Sequence, residues 1–188
     1  MPSKAQLNRR RARNKQLNKP NKHLIEESNK EYIENKISDI IFKYGIKNKW
    51  VNNCIPISII LSESFNKKSI ENVIKKGLLH METEGNKKAL FHCWVETDGK
   101  IYDLSNKLMI KLNPSWNKFS ENTNFTYSET LLDGYDRIDM DNDIEIITLN
   151  NNNILYDRYV ENSEDFWNLT PGIIKKYRND IFRMVDNL

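Results

Sequence analysis

Between Ile55 and Phe65 the chain reads IPISIILSESF, apolar nearly all the way round a helix, with Ser58 and Ser62 as small interruptions. A helix without a polar face must be enclosed by other elements, so this segment dictates a domain assembled around it. Asn52 and Asn53 just ahead are suitable N-caps, and Pro56 suits a first helical turn, where a missing N–H does no harm. The helix is therefore expected to start at Cys54.

The enclosing elements are legible on both sides. Upstream, Ile25, Ile33, Ile37, Ile40, Ile41 and Tyr44 recur mostly at three- and four-residue steps. They predict an amphipathic helix from His23 to about Tyr44, stopped by Gly45. Downstream, residues 71–82, 89–97 and 100–105 predict three strands, the last two joined by Asp98-Gly99, a strong hairpin signal. Trp116, Phe119, Phe125 and Tyr127 sit in a polar stretch expected to be loop. Residues 143–149 and 153–160 read as two more strands. Thr170 as N-cap and Pro171 at the first position begin a closing helix with Ile173, Ile174, Tyr177, Ile181 and Met184 on one face. Together these elements predict an α+β domain, a central Cys-bearing helix packed on an antiparallel sheet.

At 188 residues the chain has room for one such domain and an extension. Residues 1–22 carry eight Lys or Arg and no acid, which leaves the remainder net acidic. Almost without apolar side chains, they read as a flexible basic arm ahead of a domain over residues 23–188. Arg9, Arg10, Arg11 and Arg13 are candidate contacts for nucleic acid or another polyanion. A solvated or localising tail fits equally, since no aromatic residues interleave with the charge. The frequent Asn residues reflect codon usage in an AT-rich genome more simply than function. Two cysteines are too few for a disulfide scaffold. The start has charge without the apolar core of a signal peptide, and no run approaches the length that crosses a bilayer. The expected setting is intracellular, in the cytoplasm, with the nucleus or a virus particle also open.

The hairpin geometry selects the residues able to do chemistry. With Asp98-Gly99 as a two-residue loop, Thr97 pairs with Lys100, Glu96 with Ile101, Trp94 with Asp103 and His92 with Ser105. Side chains alternate, so His92, Trp94, Ile101, Asp103 and Ser105 share one face. His92 and Asp103 are then diagonal neighbours, about 7–8 Å apart at the backbone, a gap their side chains can close. Phe91, Cys93, Val95, Tyr102 and Leu104 take the opposite face, where Cys93 reads as a buried core residue. Cys54, at a helix start, is placed where free amides and the helix dipole favour a thiolate, and where the same amides can serve an oxyanion. His92 and Cys93 face opposite ways and no short ligand spacing is present, so neither a metal nor a cofactor is expected. Trp94 is expected to shield the His–Asp pair or line a cleft, Asn52 and Asn53 are weaker oxyanion candidates, and Glu96 reads as a solvated rim residue.

The segments NNCIPISIIL, the glycine-bearing VIKKGLLH and HCWVETDGKIYDLS, in that order, resemble the core of the transglutaminase-like (papain-like) superfamily of cysteine enzymes. That pattern is Cys at the start of a central helix, then His-x-Trp-[Val/Asn]-Glu, a short turn and an Asp. His92, Trp94, Val95, Glu96 and Asp103 fall on those positions, and the resemblance covers about residues 50–106. It implies a papain-like core with Cys54 as nucleophile, His92 as general base and acid, and Asp103 as its orienter. The implied activity is a cysteine hydrolase or acyltransferase acting on an amide or peptide bond of a protein or peptide substrate. A catalytically silent module of the same fold, or a basic-armed nucleic-acid-binding or virion structural protein, are the alternatives.

Overall fold

The apolar run does become an enclosed helix. The computed structural model describes residues 22–51, 53–83, 86–129, 144–146, 167 and 171–188. Helix α1 (Lys22–Lys47) precedes α2 (Cys54–Lys67). Ile57, Ile59, Ile60, Leu61 and Phe65 of α2 are buried almost completely, each contributing about 1.5–3 kcal/mol by leaving water. They pack with Ile37 and Ile41 of α1, with Val95 and Tyr102 of the sheet, and with Ile181 and Val185 of the last helix. Phe65 meets Tyr102 edge-on at 5.4 Å between ring centroids, so Phe65→Ala should cost about 3–5 kcal/mol.

The sheet contains β1 (Val73–Thr83), β2 (Asn86–Thr97), β3 (Lys100–Tyr102), β4 (Asn124–Glu129) and β5 (Ile144–Ile146). The order is β3-β2-β1-β4. Successive neighbours are antiparallel, while β5 joins β2 in parallel. Helices α3 (Leu104–Leu112) and α4 (Pro114–Ser120) follow β3, and α5 (Gly172–Asp186) closes the chain. Among the described residues the architecture is thus mixed helix and largely antiparallel sheet, an α+β arrangement with α2 against β2. No helix among them is long and apolar enough to cross a membrane.

Several expectations need correcting. Gly45 does not stop the first helix, which runs on to Lys47. It provides clearance instead: a Cβ there would lie 2.6 Å from Leu108 Cδ1 of α3. The third strand ends at Tyr102 rather than at residue 105, because the Asp103 carboxylate accepts the Asn106 N–H at 2.9 Å and starts α3. Asp103 and Ser105 therefore pair with no residue of β2. Trp116 and Phe119 lie on α4, and Phe125 and Tyr127 on β4, not in loop. In the closing helix Pro171 occupies the N-cap position. Ile173 and Met184 are exposed, and Val185 joins Ile181 in the core in their place. The expected strand over 153–160 and the Thr170 cap lie outside the described residues.

Candidate active site

Among the described residues, strand β2 has a notch in one edge. Along its other edge β1 pairs with it from Asn86 to Glu96. On the notched edge β5 pairs with residues 87–89 and β3 with residues 95–97, so no described strand faces residues 90–94. His92 lies in the middle of that gap. The chain leaving β3 turns at Asp103 beside it.

The expected hairpin register holds for its three pairs, Thr97 with Lys100, Glu96 with Ile101 and Val95 with Tyr102. Asp98 and Gly99 both adopt positive φ, 47° and 74°, as a two-residue turn of this kind requires. That register leaves Asp103 diagonal to His92 and within side-chain reach of it, even though Asp103 is no longer in the strand. His92 Nε2 donates to Asp103 Oδ2 at 2.8 Å, with both residues buried. The same Asp103 oxygen accepts the Tyr127 hydroxyl at 3.0 Å, and the other oxygen holds the Asn106 amide.

With Nε2 committed to Asp103, Nδ1 is the His92 nitrogen left for Cys54, the first residue of α2, whose side chain hydrogen-bonds the imidazole. Cys54 also contacts the Cys93 thiol. His92 and Cys93 are consecutive strand residues of opposite parity, so one sulfur reaches both only over the strand's edge, at the notch. One helical turn on, Ser58 Oγ donates to the Cys93 carbonyl at 3.1 Å and fixes the start of α2 over this part of β2.

The electrostatics follow from these contacts. Burial works against a charged His92, but the Asp103 carboxylate, its hydrogen bond and Cys54 outweigh that and push the imidazole up to about 10. Burial likewise opposes a charged Asp103, yet His92, the Asn106 amide and Tyr127 hold its carboxyl below the ordinary range. Burial, reinforced by Cys54, pushes the Cys93 thiol well up, which keeps it protonated. The two sulfurs are therefore unequal. Cys54 is partly exposed beside an imidazolium, whereas Cys93 is fully buried in the neutral form, and no disulfide joins them.

Of the other sequence candidates, Trp94 is buried with its ring 5.0 Å from that of Tyr127. Its indole N–H donates to Glu96 at 2.9 Å, so Glu96 is a half-buried acceptor rather than a solvated rim residue. Asn53 holds the N-cap position of α2, but its side chain makes no capping bond and donates to the Val51 carbonyl instead. Asn52, Arg9, Arg10, Arg11 and Arg13 lie outside the described residues.

Two residues of the site escaped the sequence reading. Tyr127 arrives on β4, two strands away from β2. Gly77 sits opposite His92 on β1, and a Cβ there would lie 2.0 Å from the Ser128 carbonyl oxygen, so only glycine allows β4 to lie this close. The glycine in VIKKGLLH was the one available signal for that approach.

Compared with models of known protein families, with curated proteins and with solved structures, the chain matches none.

Proposed function

We propose that Cys54, His92 and Asp103 form a thiol acyl-transfer triad of the transglutaminase-like, papain-like kind. The chain would then be a cysteine hydrolase or acyltransferase acting on an amide or peptide bond. The observation that carries this reading is the buried 2.8 Å bond from His92 Nε2 to Asp103, with the opposite side of the ring turned to a half-exposed thiol at a helix start. Structural histidine–carboxylate pairs are common. One that turns its other nitrogen to a thiol at the positive end of a helix has the parts of an activated nucleophile.

In this mechanism an imidazolium beside Cys54 favours the thiolate, as does the start of α2. The sulfur attacks the substrate carbonyl carbon, and the carbonyl electrons move onto oxygen, where the first free amides of α2 can receive the charge. Collapse of that intermediate breaks the carbon–nitrogen bond. His92 Nδ1 gives its proton to the leaving amine, and a thioester on Cys54 remains. The neutral imidazole then takes a proton from water, or from an acceptor amine, which attacks the thioester and restores the thiolate–imidazolium pair. Asp103 keeps the Nε2 proton in place throughout.

Alkylation of the full-length protein with iodoacetamide near neutral pH, mapped by mass spectrometry, tests the reading. Cys54 should be labelled selectively over Cys93, and His92→Ala should abolish the selectivity. Equal labelling of the two cysteines, or none, would overturn it.

A further inference from the structure

Tyr127 has a contact that the triad alone does not require. Its hydroxyl reaches across β1 to the very oxygen of Asp103 that accepts from His92. The direction of its proton can be deduced. Trp116 Nε1, which can only donate, gives its hydrogen to Asn106 Oδ1 at 3.1 Å. That fixes the orientation of the Asn106 carboxamide, so its nitrogen is the group bonded to the Tyr127 oxygen. The phenol oxygen therefore accepts from Asn106, and its own proton points at Asp103. Trp116, Asn106 and Tyr127 thus form a one-way relay of donors ending on the carboxylate.

Tyr127 is not needed to hold the carboxylate in place. Asp103 Oδ1 is already fixed by the Asn106 backbone amide at the start of α3. What the phenol adds is competition for charge at Oδ2.

We propose that the Tyr127 hydroxyl withdraws charge from Asp103 Oδ2 and thereby lowers the proton affinity of His92, keeping the imidazolium acidic enough to release its proton. This deepens the acyl-transfer reading and rests on it for its purpose: a general acid works best when its proton affinity is near the operating pH. Tyr127 is a positioning residue, touching no reacting atom and acting through Asp103. Among the described residues, the groups engaging His92 are Cys54 from α2 and Asp103 from the β3–α3 turn, with Tyr127 of β4 bonded to Asp103, while β1 places the side-chain-free Gly77 opposite. On the same sheet face Lys75 and Glu129 pair with each other at 2.6 Å, and Glu96 is bonded to Trp94.

The test is the titration of the His92 ring followed by NMR in the full-length protein, its signal assigned by loss in His92→Ala. Tyr127→Phe keeps the ring against Trp94 and removes only the hydroxyl. The His92 midpoint should move up by roughly half a unit to one unit. Trp116→Phe, which frees the Asn106 carboxamide to turn, should move it the same way by less. An unchanged or lowered midpoint in Tyr127→Phe overturns the proposal, and if that variant fails to fold, the direction of the shift in Trp116→Phe decides. Cys54 is present in wild type, Tyr127→Phe and Trp116→Phe alike, so the direction of the shift is read separately from thiol reactivity. An upward shift in a protein whose Cys54 proves no more reactive than Cys93 would sustain the charge relay while removing the acyl-transfer reading.

Discussion

Among the described residues two carboxylates are buried, and both accept a hydrogen bond from a tyrosine. Glu34 of α1 accepts from Tyr102 at 2.8 Å and Thr97 at 3.2 Å, with Lys30 at 3.9 Å. Asp103 accepts from Tyr127, from a backbone amide and from His92. Around Glu34 the close donors are two hydroxyls belonging to the hairpin, and the result is a clamp between α1 and the strand pair. Around Asp103 one donor is an imidazole whose other nitrogen faces a thiol. Burial of a carboxylate is common to both and diagnoses nothing by itself. A partner that titrates and is itself engaged on its far side separates a site from a strut.

Substitutions can break or sharpen that contrast. The largest effect is expected at Asp103→Asn, which retains an acceptor for the Asn106 amide but removes the charge facing the imidazolium. Cys54 alkylation should fall at least about a hundredfold, on the order of 3 kcal/mol, measured as a second-order rate constant at pH 7. Glu34→Ala should leave that rate within about threefold of wild type. It should lower unfolding free energy by roughly 2–3 kcal/mol in urea, because two buried hydroxyls lose their acceptor. If the two variants behave alike in both assays, the contrast is void.

A pH series sharpens it further. A raised His92 stabilises the fold fully below the ordinary imidazole range and loses that contribution as pH climbs through about 10. The lowered Asp103 contributes above the ordinary carboxylate range and loses it as pH falls below that range. The stability difference between wild type and Asp103→Asn should therefore peak between about pH 4 and 6.5 and shrink toward alkaline pH. The corresponding difference for Glu34→Gln should hold steady between about pH 6.5 and 9, below the range in which a tyrosine of the unfolded chain ionises. Burial, and then Glu34 itself, raise the Tyr102 hydroxyl, a contribution lost only above that range. Thermal melts across pH read both differences. The smallest effect belongs to Tyr102→Phe, with a loss of about 1 kcal/mol and no movement of the His92 titration midpoint, in contrast to Tyr127→Phe.

How much of this could be read from sequence depended on the distance over which each signal acts. The Asp98-Gly99 turn sets a local register, and that register alone brought His92 and Asp103 together. The strand pattern in sequence continues three residues past the end of β3 at Tyr102. Asp103 was counted as a strand residue, although Asp ahead of LSNKLMIKL is also a helix N-cap, and capping prevailed once the Asn106 amide was within reach. The Leu108 contact of Gly45 was illegible because a glycine near a helix end signals a stop more strongly than it signals a neighbour. Tyr127 escaped because β4 is short and polar in pattern, NFTYSE, and its partners lie on strands far away in sequence. Cys54 was placed by its helix, but its contact with Cys93 was not foreseen, since parity assigned Cys93 to the opposite face without locating the edge where both faces can be reached.

The split duty of the Asp103 carboxylate has a consequence for inheritance. One oxygen begins α3 and the other holds the imidazole. A lineage that abandoned the chemistry would still be under pressure to keep an acceptor at position 103, and Asn, Ser or Thr would satisfy that need without the charge. Loss of the proposed activity at this position should therefore leave a quiet record, a conservative polar replacement in a protein that folds as before.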